Sequence, residues 1–217
     1  MGKFFNYENG LFQGLNKITD YILLSFLWII FSTPIVTIGA STSALYYTVN
    51  KVLRHDRSHV WREFWRSFKT NFKQSTITWL ILCAAYIITF LNFRYASIMA
   101  GQSTMMLIAS EVCLSVFLVL MIWSLYLFPY ISRFVCSFKD YLKNSFLISI
   151  HNLYWSILLL LISAIVLFVL YLFPILIFIV PAGLMRIHNQ ILEHVFRKYM
   201  SQEDLEAEDA YNQEEVD

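Results

Sequence analysis

The sequence predicts an all-α fold: a polytopic helical membrane protein with five to six membrane segments, a broken first hairpin and an amphipathic cytoplasmic helix. Three observations carry that expectation. Of 217 residues 58% are hydrophobic and only 14% charged, well under the roughly 25% of a soluble domain. Long intervals contain no charged side chain, and the Lys and Arg residues between them alternate in number, as the positive-inside tendency requires.

The first apolar interval, residues 21–50, holds 30 uncharged residues. One helix of that length is about 45 Å, too long for one pass, and two passes of half that length are short. Pro34 and Gly39 in STPIVTIGAST mark a candidate helix break, since proline lacks the backbone donor and glycine tolerates positive φ. Ser41, Thr42 and Ser43 can then cap a second helix through ALYYTVNKVL. A hairpin forms if Lys17, Asp20, Lys51 and Arg54 sit near the interface, where long side chains snorkel. A single pass is the other reading.

The stretch VWREFWRSFKTNFKQ follows at residues 60–74. On a helix Trp61, Trp65, Phe68 and Phe72 share one stripe, with Phe64 beside it. Arg62, Arg66, Lys69 and Lys73 form a second stripe about 100° round the axis. This is an amphipathic interfacial segment, with partner docking as its sharper reading; nucleic acid is excluded because no recognised nucleic-acid fold accompanies it.

Between Lys73 and Arg94 lie 20 uncharged residues, and between Glu111 and Arg133 lie 21. Each fits one pass. Between Lys143 and Arg186 lie 42, too many for one helix, and Pro174 with Pro181 offers places to break it. Two helices are expected there, about 147–169 and 172–188. SFKTNFKQS at 67–75 resembles SFKDYLKNS at 137–145, which admits either a duplicated hairpin or the same interfacial demand met twice.

Seven Lys and Arg residues lie in 51–73, three in 133–143 and three in 186–198, against Arg94 alone in 94–110. With Lys3 and Lys17 inside, the preferred count is six segments with both termini cytoplasmic. Residues 1–200 form the membrane domain and carry all 16 cations. Residues 201–217 hold 8 of the 15 acidic residues and read as a solvated, disordered cytoplasmic tail.

No catalytic residue, metal site or cofactor is expected. His55 and His59 share a helical face, but only Asp56 and Glu63 stand nearby as further ligands, and exposed loop histidines are the simpler reading. His188 and His194 are interfacial residues of the last helix. Cys83, Cys113 and Cys136 are unpaired by motif and read as packing residues. Asp20 and Glu111 are the ionisable groups nearest membrane depth; both lie at expected helix ends, where water is in reach. Asn92 and Asn152 read as capping or packing groups. No phosphate loop, nucleophile elbow or paired-carboxylate motif occurs.

The run LNKITDYILLSFLWIIFSTPIVTIGASTSALYYTVNKVL, then VWREFWRSFKTNFKQSTITWLI, resembles the YesL-like family of bacterial integral membrane proteins of unknown function, most strongly over residues 1–80. HNQILEHVFRKY near the end is also similar. The resemblance implies a multi-pass protein of the bacterial cytoplasmic membrane, often encoded beside carbohydrate importers of the ABC type and the enzymes that process those sugars. It carries over no activity. The function expected is therefore a non-enzymatic accessory or assembly partner of a carbohydrate uptake (ABC-type) system, with the lipid bilayer and that transporter's components as partners. The alternative is a transporter or permease subunit in its own right. Against it, the EAA-and-glycine pattern by which ABC permeases engage their ATPases is missing. A membrane sensor lacks a recognisable signalling domain. No signal peptide is evident, because the first apolar segment is long and continues into the polytopic body.

Overall fold

A computed structural model describes residues 10–54, 59–101 and 103–214, with the side chains of 10–15 and 211–214 excepted. Lys3, His55 and Asp56 lie outside the described residues. Helices dominate, and no strand occurs among the described residues.

Helix α1, Gly10–Ser32, buries Leu24, Ser25 and Leu27 and leaves Ile18, Ile22, Phe26 and Ile30 exposed. It stops where Pro34 removes a donor and restricts Thr33 before it. A 3-10 turn, Ile35–Thr37, follows, closed by Thr37 Oγ1 at 2.6 Å from the Phe31 carbonyl. The break expected at Pro34 is therefore present. Gly39 is not part of it: it lies inside α2, Ile38–Thr48, and no glycine among the described residues has positive φ.

What Gly39 provides is closeness. A Cβ there would meet the Ser75 carbonyl oxygen at 2.6 Å and Phe128 and Trp79 side-chain atoms at 2.7 Å. Gly39, Ala40, Ser41, Ser43 and Ala44 are all buried, and small residues let helix backbones approach. The contact is fixed by polar groups: the Ser43 and Ser75 hydroxyls are 2.9 Å apart, and Trp79 Nε1 donates to the Ile35 carbonyl at 2.7 Å. At 11 residues, about 16 Å, α2 is too short to cross a bilayer alone. It ends in a π turn, Val49–Leu53.

Helix α3, Val60–Met99, runs 40 residues without a break, about 60 Å, or twice a hydrocarbon core. The amphipathic segment is thus not a separate interfacial helix. It is the first four turns of the helix whose charge-free part, 74–93, has the length of a pass. Helix α4, Thr104–Arg133, is capped by Ser103, whose hydroxyl accepts from the Met105 amide.

Helix α5, Phe138–His151, is capped by Ser137 and turns at Asn152 into α6, Leu153–Leu172. The expected 147–169 helix is therefore divided. Pro174 opens a 3-10 turn, Pro174–Phe178, and Pro181 sits in the first turn of α7, Val180–Phe196, a position proline favours. The expected 172–188 helix is thus displaced toward the C-terminus. The two SFK segments are not equivalent either, since Ser67 is buried inside α3 and Ser137 is a cap.

Helices α3, α4 and α6 are each long and apolar enough to cross a membrane. Ile87, Leu91, Val112, Val116, Ile165 and Phe168 stand exposed on them, a surface that hydrocarbon solvates and water does not. Helix α8, Gln202–Glu214, runs through most of the acidic tail and is tied to the bundle. The physical reason is ionic: Arg197 holds both oxygens of Asp209 at 2.8 Å, and Arg133 holds Glu208 at 2.5 Å.

Candidate functional site

Two features stand at the charged end of the bundle, a basic aromatic face and a buried ion cluster. The face begins with α3. Phe64 and Phe68 turn inward with Val60 and join Leu24, Leu27, Val49 and Val52 in one core cluster. The ring of Phe31 lies among them, 5.7 Å from Phe64, 5.3 Å from Trp65 and 5.0 Å from Phe68 between centroids. Part of the aromatic segment is therefore occupied by the chain's own α1.

The remainder points outward. Trp61 is 55% exposed and Phe72 41%. Trp61 stacks on half-buried Trp65 with centroids 6.4 Å apart, and Lys69 Nζ sits 4.8 Å over the Trp65 ring, within the range of a cation–π contact. Arg62, Lys69 and Lys73 are exposed. Arg66 belongs to a different group: it donates to the Tyr47 hydroxyl and lies 3.4 Å from Glu63, which also pairs with Lys51 at 3.3 Å. Of the nine residues singled out on this segment, Trp61, Arg62, Trp65, Lys69, Phe72 and Lys73 form the outer face, Phe64 and Phe68 form core, and Arg66 is tied to α2.

The ion cluster centres on Glu193 of α7, 1% exposed. The Tyr46 hydroxyl donates to its Oε1 at 2.7 Å. Its Oε2 faces Arg133 Nη2 at 3.2 Å and Arg54 Nη1 at 3.6 Å, as ion pairs without aligned hydrogen bonds. Arg133 Nη2 also reaches Glu208 of α8. The carboxylate thereby ties together α2, the chain just after the π turn, and the end of α4, with α8 attached through the same guanidinium. A lone buried carboxylate would be costly, and two cations with a hydroxyl make it tolerable.

Sequence reasoning passed over Glu193 and looked instead to Asp20, which is half-buried, and Glu111, which is exposed. One signal was available. Ala182, Asn189, Leu192, Glu193 and Phe196 follow a helical period and are buried, so the apolar members of that stripe place Glu193 inward. Its partners Tyr46, Arg54 and Arg133 lie far away in sequence and carry no local signal.

The other expected residues fall outside both features. Asn92 donates to the Ile88 carbonyl at 2.8 Å. Asn152 donates to the Tyr199 hydroxyl at 2.8 Å. His188 Nε2 lies 3.2 Å from the Ser163 hydroxyl. Cys83, Cys113 and Cys136 are free thiols. Among the described residues no group of three His, Cys, Asp or Glu side chains could hold a metal ion.

Between α3 and the end of α4 lies a cleft of about 410 Å³, lined by Tyr47, Arg66, Ser67, Thr70, Asn71 and Gln74 on one side and residues 131–136 on the other. Adjacent tyrosines on α2 thus serve the ion cluster and the cleft: Tyr46 holds Glu193, and Tyr47 holds Arg66.

Residues 21–93 are similar to the family described as "Protein of unknown function, DUF624". The match covers about half of α1, all of α2 and most of α3. No curated protein and no solved structure matches the chain.

Proposed function

We propose that this chain is a non-enzymatic integral membrane protein that acts as an accessory or assembly partner, docking a cytoplasmic or neighbouring membrane protein on the outer face of α3. The observation that carries this reading is Trp61, 55% exposed and stacked on Trp65 amid Arg62, Lys69 and Lys73. Phe31, Phe64 and Phe68 brace the helix from behind, so this face is rigid. Exposed, pre-organised Trp with basic neighbours is the composition of an interface hot spot. The resemblance noted from the sequence makes an ABC-type carbohydrate uptake system the first partner to examine.

In this reading the protein lies in the bacterial cytoplasmic membrane as a multi-pass protein with its C-terminus cytoplasmic. Helices α1 and α7 add to α3, α4 and α6, while α2, whose partners Arg66, Ser75 and Trp79 lie before and at the start of the α3 pass, packs beside them at the cytoplasmic end. A reporter after Lys198 is expected inside and one near Gly101 outside. An external N-terminal reporter would fit five segments.

The docking test is co-purification from native membranes at endogenous level, comparing wild type with Trp61→Leu and Lys69→Gln. Phe64 and Phe68 are left intact because they are core. Recovery of uptake-system components is expected to fall about tenfold or more at unchanged membrane abundance, as hot-spot truncation implies. Undiminished recovery removes docking and leaves an interfacial anchor. Sugar uptake by liposomes holding this chain alone would favour the transporter reading instead.

A further inference from the structure

The cleft between α3 and α4 has a composition that the docking face does not explain. Arg66 of α3 and Arg133 at the end of α4 both line it, with Ser67, Thr70, Asn71, Gln74, Ser132 and Tyr47 around them. Two guanidiniums on separate helices suit a dianion, which each can grip by charge-assisted hydrogen bonds. The hydroxyl and amide groups suit the oxygens of whatever carries that dianion.

Both arginines are held in place. Arg66 is pinned by the Tyr47 hydroxyl and by Glu63 at 3.4 Å, and Arg133, with a side chain 16% exposed, is pinned by Glu193 at 3.2 Å. The second carboxylate on Arg133 differs in kind. Glu208 comes from the acidic α8, meets the same Nη2 at 2.5 Å, and is itself 17% exposed. Around this point Arg54 and Arg133 are balanced by Glu193 and Glu208. Removing Glu208 takes one negative charge away from Arg133.

We infer that the Arg66–Arg133 cleft binds a phosphate monoester bearing hydroxyl groups, and that Glu208 of α8 competes with that ligand for Arg133. Glu208 thereby acts as an internal counter-ion that keeps the site weak until α8 lifts. The ligand is either a soluble phosphorylated polyol or the headgroup of a lipid such as phosphatidic acid, because the cleft lies near the charged end of membrane-length helices.

Binding is measured on the full-length chain with two probes: glycerol phosphate in detergent solution, and nanodiscs of phosphatidylcholine with or without phosphatidic acid. Glu208→Gln is expected to tighten one probe about tenfold, within the span of typical coupled sites. Deleting 202–217 should do the same. Arg66→Gln combined with Glu208→Gln is expected to abolish the gain, with thermal unfolding confirming that each variant is folded. A gain for glycerol phosphate assigns a soluble ester, and a gain only in phosphatidic acid nanodiscs assigns a headgroup. No gain for either probe, or a gain that survives Arg66→Gln, overturns the inference.

Discussion

Glu193→Ala is expected to produce the largest loss of stability of any single change at the charged end of the bundle. Removing one member of a buried ion pair leaves its partners uncompensated, a loss of about 3–5 kcal/mol. Arg133, the nearer cation at 3.2 Å, cannot turn wholly to water, since its side chain is 16% exposed. The Tyr46 hydroxyl, in a residue of zero exposure, loses the acceptor it meets at 2.7 Å. Arg54 is 28% exposed and suffers less.

In detergent the variant should unfold roughly 10 °C below wild type, given the usual few degrees per kcal/mol for a chain of this size. Glu193→Leu combined with Arg133→Met should recover much of the loss, because apolar replacement of a whole buried pair is often neutral. An unchanged unfolding temperature for Glu193→Ala would show that the cluster does not hold α2, α4 and α7 together. Failure of the double variant to improve on Glu193→Ala would instead assign the energy to packing around α7.

The parts of this arrangement that could be read in advance were those set by local chemistry. Charge-free intervals located the apolar parts of α3 and α4, and Pro34 located the end of α1. Each depends on residues next to one another. The uninterrupted length of α3 was hidden, because an amphipathic segment and an apolar span have the same helical period and nothing between them signals a join.

The helix in the tail was hidden for a related reason. Its acidic composition argues for solvation when taken alone, yet Glu208 and Asp209 meet Arg133 and Arg197, and that pairing appears only once the bundle exists. The aromatic stripe shows the same limit. Period alone placed Phe68 with Trp61, whereas Phe31 of α1 divides them into core and surface. A helical stripe says which residues share a face, and the neighbouring helix decides how far burial extends round it.

Gly39→Ala reverses a familiar sign. Inside a helix, glycine to alanine normally stabilises by about 1 kcal/mol, because alanine loses less backbone freedom. Here the added methyl would lie 2.6 Å from the Ser75 carbonyl oxygen and 2.7 Å from Phe128 and Trp79 carbons. A backbone oxygen cannot be moved by changing a rotamer, so α2 must withdraw from α3. Withdrawal stretches the Ser43–Ser75 contact, now 2.9 Å, and the Trp79 bond to Ile35, now 2.7 Å. Overpacking of this kind costs about 1–3 kcal/mol, enough to erase the helical gain and leave a net loss, and Gly39→Leu should fail to accumulate in the membrane. Gly183→Ala supplies the control: it lies in α7, where an added Cβ would find no other atom within 4 Å, so the ordinary gain should appear. Thermal unfolding of both alanine variants in one detergent decides the matter. If Gly39→Ala and Gly183→Ala shift the unfolding temperature in the same direction, close approach is not the reason glycine stands at position 39.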